Sequence, residues 1–465
     1  MNRGNAARYS LPGFSGLLLH PGEAGYDDAR KVFNGMIDRR PALVARCASA
    51  DDVALAIRLA RDNGLPVSVY GGGHSVTGSA VCDSGVCIDL RGMKGIAVDP
   101  AARTVRAEAG LNWGEFDAAT QAHGLGVTGG RHPDTGIAGL TLGSGSGWLE
   151  RKFGYVCDNL IKAEMVTADG RKVAVSETEN ADLFWAIRGG GGNFGVVTAF
   201  HLRLHPLGPI VVGGVMFYPG EKAVDIARFY RDFMATAPDE LGGGMVFTKA
   251  PPVDPFPVSI RGKPVVGIVV CYAGPVEEAN ALLAPLRAHM TPAVDLVQPM
   301  PYAAVQKLTE GGNPVGVRNY WTADFYTGLP DEAIDTLVAH AARRPSPIGS
   351  FVLAPGGGAP TRIAEGATAF SQRQQPWSIH YLTMWFDSAD DAKNIAFTKD
   401  AAGAMKPWAS GRVYLNYIGD EGQGRVDSSF GPETMARLRA IKARWDPDNL
   451  FSHNQNIRPA TMAAE

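Results

Sequence analysis

The sequence predicts an α+β protein of two or three domains, and three observations carry that expectation. At 465 residues the chain is longer than one hydrophobic core accommodates. Residues 1–206 alternate short apolar runs with helix-length segments, whereas residues 207–410 alternate longer strands with helices, the spacing of one sheet covered by helices on one face. Residues 411–465 end in a segment with Trp445, Leu450, Phe451 and Ile457, side chains that favour burial, so this segment is expected to pack back on the first part.

Each element has a local reason. Ser49-Ala-Asp-Asp52 is a helix start, Val53, Ile57 and Ala60 follow at helical spacing, and Asn63-Gly64 closes the helix. Pro66 to Tyr70 is a short strand leading into a glycine loop, and strands follow at 86–90, 95–98 and 104–107. A helix spans Trp113 to His123 and stops at Gly124; a hairpin joins 163–167 to 172–175 through Asp169-Gly170. Asn180-Ala-Asp182 caps a short helix reaching Ile187, Gly189–Gly192 breaks it, and a strand runs from Val196 to Leu204. In the middle region the strands are 211–218, 265–272, 320–326 and 379–386, and the helices 221–235, 276–289, 332–342 and 389–402. A last strand near Val413 and a helix opened by Pro432 precede the Asn-rich end.

Composition narrows the function. A net charge of −3 leaves no basic excess for nucleic acid or an anionic membrane. The five cysteines, Cys47, Cys82, Cys87, Cys157 and Cys271, are too few and too scattered for a disulfide framework and fit a reducing compartment. Leu17-Leu18-Leu19 ends at His20-Pro21, too short for a signal peptide or a span, so a cytoplasmic setting is expected.

The chemistry-bearing segments are loops. Tyr70-Gly-Gly-Gly-His-Ser-Val-Thr-Gly78 exposes backbone N–H groups suited to an anion and presents one reactive ring, His74. Gly190–Gly195 matches G-x-G-x-x-G by letter, but a helix precedes it and a strand follows, the reverse of a dinucleotide fingerprint. There is no G-x-S-x-G elbow, no H-E-x-x-H helix and no Walker lysine, and no metal site is expected; His201 and His205 read as ordinary strand histidines. Four glycine-rich loops in one half, at 71–73, 129–130, 143–147 and 189–192, fit backbone approach along a long flat ligand such as a flavin dinucleotide.

These segments resemble the FAD-linked oxidases of the vanillyl-alcohol-oxidase fold, in particular the berberine-bridge-enzyme-like group with a PCMH-type FAD-binding domain, in its single-histidine bacterial type. The resemblance runs through Tyr70–Gly78, Asp134–Gly145, Arg151–Asn159, Asp182–Thr198, Tyr414-Leu-Asn-Tyr417 and Asp446–Ile457, in the family's order. It implies an FAD domain of two α/β subdomains built from 1–206 and 411–465, and a substrate domain at 207–410 of mainly antiparallel sheet covered by helices. It also implies FAD bonded covalently through His74. Cofactor contacts are expected from Tyr70, Gly71, Gly72, Gly73, Ser75 and Gly78 in the first loop. Further contacts are expected from Gly129, His132, Thr135, Gly136, Gly139 and Thr141, then from Ser144, Gly145 and Val197. Asn454 and Asn456 complete the set at the C-terminal end.

One departure stands out. Many relatives add a cysteine tether just before the Pro-x-x-Gly step, and here that position is His132. Cys157 lies some twenty residues further on and reads as a packing residue, so a single tether is expected, with a somewhat less oxidising flavin whose C6 side is less covered. The resemblance implies hydride transfer from a C–H bond of a small alcohol, amine or secondary metabolite to flavin N5, with dioxygen returning hydrogen peroxide. A dehydrogenase of the same fold with another acceptor, or a carbohydrate oxidase, are the alternatives. Tyr417 matches the family's catalytic tyrosine; a phenol, with an unperturbed pKa of about 10, needs nearby positive charge to act as a base at neutral pH. Tyr320, Tyr326 and His380 are candidate substrate contacts, with Tyr320 and Tyr326 on one strand face and Trp321 on the other. The expected partners are a small-molecule substrate and dioxygen, with neither nucleic acid nor membrane, in a monomer or homodimer.

Overall fold

Ser49 starts the first long helix through its hydroxyl, which accepts from the Asp52 backbone N–H at 3.2 Å; the helix then runs Ala50–Asp62 and buries Val53, Ala56, Ile57 and Ala60. The computed structural model describes residues 9–460. The helix Trp113–Gln121 carries a full capping box, Asn112 accepting from the Glu115 N–H at 2.8 Å and Glu115 from the Asn112 N–H at 2.9 Å. Asn180, by contrast, does not cap Ala181–Ile187; its side chain donates to the Ala174 carbonyl, and Asp182 instead accepts from Arg444 and Trp445 on the C-terminal helix.

These helices flank two sheets. The first pairs Leu43–Arg46, Val86–Asp89 and Val67–Tyr70 in parallel, with Leu17–Leu19 antiparallel at its edge. The second is antiparallel, ordered Ile96–Asp99, Thr104–Glu108, Val196–Arg203, Leu160–Val166, Lys172–Ser176. One hydrophobic cluster joins both sheets to the helix Pro432–Trp445, and Phe451 and Ile457 are buried within it.

The middle of the chain forms a larger antiparallel sheet with four helices, Ala223–Met234, Ala279–His289, Asp331–Ala342 and Asp391–Met405, packed on one face. Two strands that the sequence reading lacks, Leu241–Lys249 and Gly349–Pro355, lie side by side at its centre. Glycines hid the first of them: Leu241-Gly-Gly-Gly reads as a loop. A Cβ at Gly242 would sit 1.8 Å from the Trp148 carbonyl oxygen, so this strand needs glycine to pass that backbone. The expected strand near Val413 is instead a single helical turn, Leu415–Tyr417. Among the described residues no helix is long and apolar enough to cross a membrane, and all five cysteines are unpaired and buried.

Candidate active site

The glycine loop after Val67–Tyr70 is fixed from beneath. The Tyr70 hydroxyl donates to the Lys31 carbonyl at 2.6 Å, and the Arg91 guanidinium lies 3.8 Å from the centre of the Tyr70 ring. Gly72 then passes so close to Gly136 that a Cβ on Gly72 would stand 2.2 Å from the Gly136 nitrogen. Two chain segments thereby meet backbone to backbone, a contact that only glycines permit at this spacing. A third loop is tied to them by the Gly189 and Gly191 N–H groups, both donating to the Leu142 carbonyl. The Asn454 amide donates to the Gly192 carbonyl at 3.2 Å and closes a fourth side.

These loops border a cavity of about 990 Å³, whose opposite wall is the face of the large sheet turned away from its four long helices. Gly71, Gly72, Gly73, His74 and Ser75 line it, as do His132, Thr135, Gly136 and Gly139, and also Val197 and Asn454. The other expected cofactor residues stand behind it. Tyr70 supports the loop, Gly78 packs on Ile37 and Gly129 on Trp113. Thr141 is buried within the helix Ile137–Leu142. Ser144 and Gly145 donate to the Tyr414 hydroxyl at 3.1 and 3.2 Å, and Ser146 of the same turn lines the cavity. Asn456 gives its carbonyl to Gln423.

His74 is half-buried, stacks on Phe33 with 4.3 Å between ring centres, and lies 5.1 Å from His132. Its Nε2 has no hydrogen-bond partner. Burial, and then the neighbouring His132, push its pKa down to about 3, so the ring is neutral and keeps a free lone pair. Cys157 is in a separate cluster with Tyr155, Phe325, Phe370 and Tyr414, away from the cavity lining.

Tyr417 faces the cavity from its helical turn. The Arg131 guanidinium donates to its phenol oxygen across 286 residues of sequence. Arg131 also meets Glu150 at 3.4 Å, and Glu150 in turn accepts from the Ser146 hydroxyl and the Gly147 N–H. Burial works against the guanidinium charge, but Tyr417 and Glu150 more than offset it and Arg131 is held firmly protonated. The motif reading missed Arg131; its only sequence signal is a cation directly before His132.

On the strand Arg318–Tyr326 the cavity face is that of Trp321. Tyr320 and Tyr326 are therefore corrected as substrate contacts. The Tyr326 hydroxyl bonds Tyr381 at 3.0 Å in the core under the helices, and Tyr320 lies beneath Lys399 of a covering helix. Both faces of this strand carry aromatic rings, so alternation alone does not say which one meets the ligand. His380 does line the cavity, stacked flat on Tyr417 at 4.1 Å and edge-on to Trp321 at 5.0 Å. Burial, and then Arg131, hold its pKa well below 6.5. The unfolded chain binds a proton here below about pH 6.5 and the native ring does not, so stability falls as pH drops through that range. His380→Phe keeps the stack and removes the titration; its urea-unfolding midpoint is expected to fall less between pH 7 and pH 4.5 than the parent's, by about 2 kcal/mol in stability.

The comparisons with known proteins agree with this geometry. Residues 41–176 match the model of an FAD binding domain, and residues 413–458 match that described as berberine and berberine like. The (R)-6-hydroxynicotine oxidase of Paenarthrobacter nicotinovorans is 30% identical over 96% of this chain and 97% of its own. An FAD-linked oxidoreductase of Dictyostelium discoideum is 27% identical over 96% of this chain and 95% of its own. Among solved structures, 6-hydroxy-D-nicotine oxidase from Arthrobacter nicotinovorans superposes with a TM-score of 0.87 at 28% identity, covering 97% of this chain and all of that one. The Physcomitrella patens protein BBE-like 1 reaches a TM-score of 0.85 at 22% identity, covering 97% and 98%, and shares the fold.

Proposed function

The chain belongs to the berberine-bridge-enzyme-like FAD-linked oxidases, and from that premise we propose that His74 alone tethers the FAD and that Tyr417 is the base. The protein is an FAD-dependent oxidoreductase, and its family oxidises alcohols or amines. Bound FAD supplies the two-electron acceptor; binding, orientation and proton movement fall to side chains.

The observation that carries the reading is one cavity holding both a neutral His74 with an unpartnered nitrogen and the Tyr417–Arg131 pair. A neutral imidazole is the nucleophilic form, and the glycines on either side of the Gly72–Gly136 crossing border the same cavity as His74. His132 at the cysteine position and Cys157 outside the lining support a single covalent bond. Arg131 donates a charged hydrogen bond to the Tyr417 oxygen that, in this reading, receives the substrate proton. His380, flat against Tyr417, fixes the plane of that ring. In this reading residues 1–206 with 411–465 hold FAD, residues 207–410 supply the substrate wall, and the five unpaired cysteines support a cytoplasmic setting.

Acid-precipitated protein is expected to stay yellow, and His74→Ala to release all of its FAD into the supernatant while Cys157→Ala releases none. Release from Cys157→Ala, or a yellow His74→Ala pellet, would sink the assignment. Oxidase turnover is expected to form one hydrogen peroxide per substrate under air; rapid dye reduction without peroxide would favour the dehydrogenase.

A further inference from the structure

The wall facing the FAD loops is built by strand alternation. Val215 and Phe217, Val246, Val269, Val352 and Leu382 all point from the large sheet into the cavity. Trp321 and Trp148 add aromatic surface. Polar side chains of the sheet on this wall are Thr248, Lys249, Ser350, Ser378 and His380, and the Thr248 hydroxyl is already spent on the Gly349 carbonyl at 3.2 Å. Among the described residues no aspartate or glutamate lines the cavity. Its charged lining residues are both cationic, Arg131 inside and Lys249 at one end, with the Arg344 guanidinium buried behind Lys249 on the Phe247 and Gly349 carbonyls. His74, His132 and His380 are neutral, the Tyr414 hydroxyl is held by the Ser144 turn, and Glu150 stands behind Arg131 with its oxygens taken.

We infer that the substrate is an apolar or aromatic alcohol bound in its neutral form, rather than an amine or a sugar. The inference deepens the reading of Tyr417 as base and rests on it in part. An ammonium ion entering this cavity loses its hydration, meets Arg131 and finds no carboxylate. An amine would bind only as its neutral minority, while an alcohol bears no such cost. A sugar would leave most of its hydroxyls against valine and leucine.

The base points the same way. For an alcohol, the C–H hydrogen leaves with its electron pair to the FAD and the O–H proton passes to Tyr417 Oη, leaving a C=O bond. Dioxygen then takes the two electrons and two protons as hydrogen peroxide. A neutral amine expels hydride using its own lone pair and forms an iminium without a base. A phenol backed by a buried guanidinium is therefore machinery for an O–H group.

The test is binding of a matched set, naphthylmethanol, naphthylmethylamine and cellobiose, to the holoenzyme, read from the perturbed flavin absorbance. The alcohol is expected to bind equally from pH 6 to pH 9.5. The amine, with a pKa near that of other alkylamines, is expected to bind at least about 30-fold more weakly at pH 7 and to approach the alcohol as pH rises. Ser350→Asp, which places a carboxylate on the wall, is expected to strengthen amine binding at pH 7 about tenfold by charge pairing. Amine binding equal to alcohol binding at pH 7, tighter cellobiose binding, or no binding by either naphthyl compound would overturn the inference. The titration is repeated in Tyr417→Phe: an unchanged ranking there keeps the substrate class, even if full turnover in that variant removes the base.

Discussion

Tyr417→Phe is expected to lower kcat by roughly 10²- to 10⁴-fold, the range that positioned acid–base groups contribute, while the FAD stays covalently bound. That loss corresponds to about 3–5 kcal/mol of transition-state stabilisation. The variant removes one oxygen and leaves the rest of the site in place: Phe still stacks on His380 and still packs edge-on against Tyr414. KM is accordingly expected to move little. Stopped-flow reduction of the flavin under anaerobic conditions isolates the step, because product release and reoxidation do not contribute to it. A reduction rate within about threefold of the parent's would be too small a change for a lost general base and would remove Tyr417 from the chemistry.

Asp446→Ala is expected to be the most damaging single change to stability, by about 3–5 kcal/mol, because it leaves a buried lysine without its counter-charge. Lys442 and Asp446 both have fully buried side chains and pair at 2.6 Å. The Lys442 ammonium also donates to the Asn193 carbonyl at 2.6 Å and the Phe451 carbonyl at 3.1 Å, and Asp446 accepts the Leu450 and Phe451 N–H groups. One ion pair thus holds the Gly189–Gly195 loop and the 451–455 segment together at the cavity edge. With a total stability of about 5–15 kcal/mol for a protein domain, the loss is a large fraction. Urea unfolding measures it, and FAD content should fall in parallel as the 451–455 segment loosens. The double variant Lys442→Met with Asp446→Leu should regain most of the stability, since an apolar pair in that space strands no charge. Equal damage in the double and single variants would mean that the network of backbone contacts, rather than the charge, holds the segment.

Much of the site was legible because it is written in contiguous segments. Glycines at 71–73, 136 and 139, His74 between them, and the Asn-Tyr pair at 416–417 sit where backbone conformation and local chemistry demand those residues. The Ser144–Gly145 turn carries a contact that the sequence does not show: Ser144 donates to the Tyr414 hydroxyl at 3.1 Å across 270 residues. Ser49 and Pro432 announced their helices, since caps act within one turn. The glycine-rich strand Leu241–Lys249 did not announce itself, because its tolerance for glycine comes from the Trp148 backbone on a distant segment.

The sequence by itself determined the family and the order of the glycine loops, and it placed His74 and Tyr417 as the candidates that line one cavity. Tertiary structure alone decided which sheet face lines the cavity and what charge stands beside Tyr417. Strand alternation separates Tyr320 from Trp321, but the face turned to the cavity follows from how the sheet packs beneath its four helices. Arg131 and Tyr417 are 286 residues apart, and no local periodicity records a hydrogen bond between groups that meet only when the two chain ends close on each other.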